Sequence, residues 1–341
     1  MERMTRHLAA AAAVAGLAIL GAGGAGCAAH PAAGAGGPAS SAPAASPPLP
    51  DPFTILARYS AKSVGLDHPG ALAAGPDGNL YVTDRSQRVT VISPAGKVLR
   101  RWGKPGTGPG EFRFIAGDPA APAEVAGKIA VGRNGMVYVS DSGNDRVQVF
   151  TPQGRFIRQF GSYGSGKGQF YFPADLVADG SGNVYVADDQ SETLAKFSPA
   201  GQVIWQIGGS ASSDEDLLGH QHLASIDAHG RLVMVNDDQN KVLYVDPAGR
   251  EVDAFSPDSS SFGGHVCEVT ADAAGDTYVS GCGPGSAQPT LVYDRAHRLI
   301  AKWPGTQYSL LRSPVFGPDG EVFALATAGS ILRLRITLPA G

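Results

Sequence analysis

The chain has 341 residues, 43% of them apolar and 17% charged, with 46 glycines and 25 prolines. That composition supports a sizeable core and excludes a charged, disordered chain. The net charge of −4 argues against a nucleic-acid partner, which would need a basic face.

Residues 1–27 read as an export signal. Arg3 and Arg6 give a positive start, Leu8 to Leu20 an apolar stretch, and small residues follow. This is the layout of a secretory signal rather than a mature membrane span. The segment ends Gly24-Ala25-Gly26-Cys27 and resembles the lipobox of bacterial lipoproteins, with Gly24 where Leu is usual. The resemblance implies that Cys27 is acylated and anchors the chain to the extracytoplasmic face of the cell membrane. Apart from His30 and Leu49, residues 28–50 are Ala, Pro, Gly and Ser, with no large apolar side chain before Leu49. They cannot bury a core and read as a disordered tether of about 25–30 Å.

From residue 51 to 341 the sequence repeats. Segments starting at Gly75, Gly132 and Asp179 nearly superimpose, weaker copies start at Asp227 and Asp272, and an incomplete one starts at Gly317. The turn glycines Gly78, Gly135, Gly182, Gly230, Gly275 and Gly320 are spaced by 57, 47, 48, 45 and 45 residues. That is the period of propeller blades. Each copy runs as a short apolar stretch, a tight turn ending in Gly, a β-rich run such as Val137–Ser140, a polar turn, and an alternating run such as Val147–Phe150. A Pro-x-Gly turn then leads into a fourth strand, and four strands make one blade. The wording YVSD, RVQVF, PQG and FIRQFG in the second copy resembles the NHL repeat. The resemblance implies an all-β, six-bladed propeller. It also implies that Asp84, Asp141, Asp188 and the basic residues Arg88, Arg146 and Lys241 are structural.

The sixth copy ends at Pro339-Ala340-Gly341 without a fourth strand, while Phe53–Tyr59 matches the fourth-strand pattern and belongs to no other copy. Phe53–Tyr59 is therefore expected to complete the last blade and close the ring, leaving no open sheet edge there.

With Cys27 lipidated, Cys267 and Cys282 remain. They flank the predicted hairpin of the fifth blade, with their midpoint between Ala274 and Gly275, and are expected to face each other as a cross-strand disulfide. Such a bond contributes roughly 3 kcal/mol. The alternative is a metal site shared with His265.

Propellers place ligand sites where the innermost strands begin, at the mouth of the central channel. Counting back from the turn glycines gives six pairs of positions: Gly70-Ala71, Gly127-Lys128, Ala174-Asp175, His222-Leu223, Cys267-Glu268 and Arg312-Ser313. Lys128, Asp175, His222, Glu268 and Arg312 form the expected mixed-charge ring. Some six-bladed relatives resembling this chain bind zinc through histidines, as peptidyl-amide lyases do. Others bind calcium through carboxylates, as lactonases of the gluconolactonase type do. Here His220, His222 and His265 could meet zinc, and Asp175 with Glu268 could share calcium. The pattern departs from the zinc type in carrying Gly70 and Ala174 at the equivalent places.

The leading expectation is a monomeric, lipid-anchored binding module without a cofactor, for a protein, peptide or cell-envelope ligand. It resembles the extracellular NHL sensor domains of bacterial receptor kinases. The alternative is a zinc- or calcium-dependent lyase or lactonase. Residues 113–126 and 210–219 interrupt the repeat and are the expected specificity loops.

Overall fold

The second and third strand of each repeat are rich in Val, Ile, Tyr and Phe, residues that suit a pleated, buried surface. In the computed structural model these strands are covered on both faces. Every residue of Val137–Asp141 and Arg146–Phe150 is buried. The fourth strand of the first blade, Val98–Trp102, instead alternates between half-buried and exposed. Sheets therefore pack face to face through their middle strands and turn their fourth strands outward. The described residues are 49, 51–114, 127–209, 221–261, 265–281, 289–303, 314–318, 320–326 and 329–338.

Six sheets of four antiparallel strands follow one another around a ring. Blade 1 runs through Pro69–Ala74, Leu80–Asp84, Arg88–Ile92 and Val98–Trp102. Blade 2 has Ile129–Val131, Val137–Asp141, Arg146–Phe150 and Phe156–Phe160, and blade 3 Pro173–Ala178, Val184–Asp188, Thr193–Phe197 and Val203–Gly208. Blade 4 has Gln221–Ile226, Leu232–Asn236, Lys241–Val245 and Glu251–Phe255, and blade 5 Val266–Ala271, Thr277–Gly281, Thr290–Tyr293 and Leu299–Trp303. Blade 6 takes Val315–Phe316, Val322–Leu325 and Ile331–Ile336 from the end of the chain and Phe53–Tyr59 from its start. The closing strand pairs antiparallel from Phe53 with Ile336 to Tyr59 with Ile331. The ring thus closes as the sequence predicts. All six turn glycines adopt φ between 72° and 88°, a left-handed conformation that favours glycine.

The repeated Asp residues are structural. The Asp141 carboxylate accepts from the Arg113 amide and from the side chains of Asn144, Arg146 and Gln148. Asp188 accepts from the amides of Tyr171, Phe172, Gln190 and Ser191. Each such carboxylate fixes both its own turn and the linker entering from the preceding blade. The glycine-rich linkers are also internal parts. Phe112 and Phe170 are buried, and the amides of Gly166 and Gly168 are taken by Gln169 and Gln206. These linkers seat an aromatic plug between blades.

One register differs from expectation. Val266 pairs with Gly281 and Glu268 with Ser280, so Cys267 lies in a bulge instead of on the ladder. The hairpin is centred slightly earlier than the midpoint of the two cysteines, and Cys267 does not occupy the direct cross-strand position expected for it. Cys282 itself lies outside the described residues, as do Cys27, His220, Arg312, residues 115–126 and residues 210–219.

Candidate functional site at the channel mouth

Bulges decide which residue of each candidate pair sits at the rung level. In blades 1, 3 and 5 the innermost strand bulges at Gly70, Ala174 and Cys267. The following residue then pairs with the second strand: Ala71 with Thr83, Asp175 with Ala187, Glu268 with Ser280. Lys128 takes the same place in blade 2, its amide donating to Ser140 Oγ at 2.9 Å and its carbonyl accepting from the Ser140 amide at 3.0 Å. In blade 4 the bulge falls later, at Ala224, so His222 pairs with Val235. Val235, Thr83, Ser140, Ala187 and Ser280 all stand five residues past their turn glycine. By register Ala71, Lys128, Asp175, His222 and Glu268 therefore share one level.

Three of these side chains meet. Lys128 Nζ lies 2.7 Å from Asp175 Oδ1 and 3.6 Å from Glu268 Oε1. Blades 2 and 3 are neighbours, whereas blades 2 and 5 stand opposite in the ring. The lysine thus reaches across the channel. The backbone leading into it is held by blade 1: Thr83 Oγ1 donates to the Gly127 carbonyl at 2.6 Å. Ser142 Oγ likewise donates to the Pro173 carbonyl at 2.8 Å, fixing the approach to Asp175. The Asp175 side chain is only 3% exposed, against 16% for Lys128 and 14% for Glu268.

A buried ion pair is weak as a source of stability, since apolar packing of equal volume does as well. It does present an ordered ammonium beside two carboxylates in a partly desolvated channel, where ion pairing is stronger than in water. The ammonium thus lies between Asp175 and Glu268, the two carboxylates that the calcium alternative pairs. His265 is exposed, with Nδ1 3.4 Å from Asp237 Oδ1 on a turn of blade 4. Among the described residues no three His, Cys, Asp or Glu side chains come together in a metal-binding group.

Sequence reasoning missed an aromatic pair on the same face. Tyr163 and Tyr171 lie in the linker from blade 2 to blade 3, with ring centroids 5.1 Å apart and Tyr163 70% exposed. The corresponding positions in the preceding linker are Pro105 and Arg113, and that exchange was the available signal.

Residues 126–207 match a family model described as a 6-bladed beta-propeller. A stretch of 44 residues is 50% identical to RING finger protein nhl-1 of Caenorhabditis elegans, covering 13% of this chain and 4% of that protein. The chain folds as a six-bladed β-propeller whose repeats are similar to NHL repeats. The match spans only about 4% of the length of the worm protein. Among solved structures, this propeller is similar to a streptogramin B lyase, with a TM-score of 0.56 and 10% identity over 84% of this chain and 98% of that one. It is also similar to a catalytically inactive virginiamycin B lyase from Staphylococcus aureus with quinupristin, with a TM-score of 0.54 and 13% identity over 84% of this chain and 100% of that one. At such identities the likeness is one of fold.

Proposed function

We propose that this propeller is an exported, lipid-anchored binding module that takes a protein, peptide or envelope ligand on its channel-mouth face. Residues 1–27 serve as the signal, Cys27 carries the lipid, residues 28–50 form the tether and residues 51–341 bind. The observation that carries the reading is the Lys128 bridge between Asp175 and Glu268. A peptide offers both cationic and carboxylate groups and matches an ammonium flanked by carboxylates. The exposed Tyr163 widens that surface with an aromatic contact. A Cys267–Cys282 disulfide staples the fifth blade, in keeping with an oxidising compartment.

A photoreactive residue in place of Tyr163 tests the reading on whole cells, with the outward-facing Val252, 51% exposed, as control. A discrete adduct from position 163, absent from position 252 and lost with Lys128→Met, supports ligand binding at the mouth. Equal labelling from both positions contradicts it. Membrane release on Cys27→Ser tests the anchor separately.

A further inference from the structure

Four of the six seams follow one rule on the face opposite the mouth, where the Pro-x-Gly turns lie. The outer strand of one blade donates a hydrogen bond to the proline carbonyl in the next blade's turn. Tyr59 donates to Pro94, Arg100 to Pro152, Arg158 to Pro199 and Trp205 to Pro247. An aromatic ring of the earlier blade also covers the turn glycine. A Cβ there would come within 2.3 Å of Tyr59 at Gly96, 2.6 Å of Trp102 at Gly154, 3.0 Å of Phe160 at Gly201 and 3.3 Å of Trp205 at Gly249.

The seam from blade 4 to blade 5 breaks this rule at three places. The donor position on the outer strand is Asp253, an acceptor, and the turn reads Asp294-Arg295-Ala296-His297 where blade 4 has Asp246-Pro247-Ala248-Gly249. His297 keeps the left-handed backbone at φ 58°, a conformation that suits glycine and strains other residues. Its imidazole stacks on Phe255 at 4.4 Å and on Tyr244 at 5.7 Å, with Nε2 3.5 Å from Asp253 Oδ2. Arg231 lies over the Tyr244 ring at 4.5 Å and is held by Asp227 at 2.7 Å.

The result is an open cavity of about 380 Å³ instead of a sealed seam. Four of its seven lining residues are basic, His229, Arg231, Arg295 and His297, and one is acidic, Asp253. Two of the cationic groups are oriented by their own contacts: Arg231 by the Tyr244 face, Asp227 and, at 3.7 Å, Asp253, and Arg295 by the Ala274 carbonyl to which it donates. Pre-oriented guanidinium groups in a concave site recognise oxyanions.

We infer that the seam between blades 4 and 5 is a second ligand site, for a small oxyanion, phosphate or carboxylate, on the face opposite the channel mouth. The test titrates the purified full-length protein with inorganic phosphate, and separately with acetate, at constant ionic strength, following the imidazole resonances of His229 and His297. The critical variant is Arg295→Pro with His297→Gly, which gives blade 5 the same Asp-Pro-Ala-Gly turn that blade 4 folds with. Saturable shifts of both rings are expected in the wild type. The variant should retain its thermal midpoint while the His229 shift needs at least ten times more anion. The tighter of the two anions assigns the source. Shifts that never saturate, or a His229 midpoint equal in wild type and variant, would overturn the inference.

Discussion

Blades 1 to 3 and blades 4 to 6 have the same strands but hold their second turn by different means. In the first half a buried carboxylate, Asp84, Asp141 or Asp188, gathers amides from its own turn and from the incoming linker. In the second half the same place holds Asn236, Gly281 or Ala326, and Asn236 accepts from the Gln239 amide at 3.0 Å. The first half is locked by charge-assisted bonds between blades. The second uses neutral bonds between blades, such as the Val266 amide donating to Asn240 Oδ1 at 3.0 Å, together with apolar packing and the returning strand Phe53–Tyr59.

The most severe way to probe the contrast is to delete Phe53–Tyr59. That exposes the edge of Ile331–Ile336 and removes the Tyr59 bond to the Pro94 carbonyl. A single cooperative thermal transition should be lost, with blades 4 to 6 becoming protease-sensitive first. Next comes Asp141→Ala, which strips Arg146, only 6% exposed, of its carboxylate at 2.7 Å. Breaking such a pair costs about 3–5 kcal/mol, measurable by denaturant unfolding. Asn236→Ala should cost about 1 kcal/mol, the worth of a neutral hydrogen bond. If the two variants lose equal stability, the halves are not held differently.

The smallest effect concerns Asp276 of blade 5. Burial, then Asp272 and Asp294, raise its pKa above the ordinary carboxylate value. A carboxyl whose folded pKa is raised penalises the fold when ionised, and the penalty disappears as pH falls through that raised value. Asp276→Asn should therefore lift the thermal midpoint at neutral pH and leave it unchanged in acid. An equal rise at both pH values would contradict this.

Much of the molecule was legible because a repeat tests itself. The turn glycines located every blade, and the orphan strand Phe53–Tyr59 could only complete the last one. The mouth residues were legible as pairs but not as single positions, because a bulge adds one residue without any mark in the composition. His222 joins the level of Lys128 and Asp175 only because the blade 4 bulge falls at Ala224. The same device moved Cys267 off the ladder. The Lys128 bridge to Glu268 joins opposite blades, and no periodicity along the chain encodes a contact through the ring's centre. The open seam at blade 5 was written in the exchange of Pro-Ala-Gly for Arg295-Ala296-His297, yet its meaning needed the packing of Phe255 and Tyr244.

Lys128 Nζ lies between Asp175 and Glu268, and under the proposed reading this mouth binds a ligand through its charged groups without a metal. Metal analysis of the full-length protein, purified without chelator, tests this most directly. The account predicts neither zinc nor calcium in stoichiometric amount, and no change in thermal midpoint on adding calcium. One equivalent of either metal, released by Asp175→Asn, would contradict it.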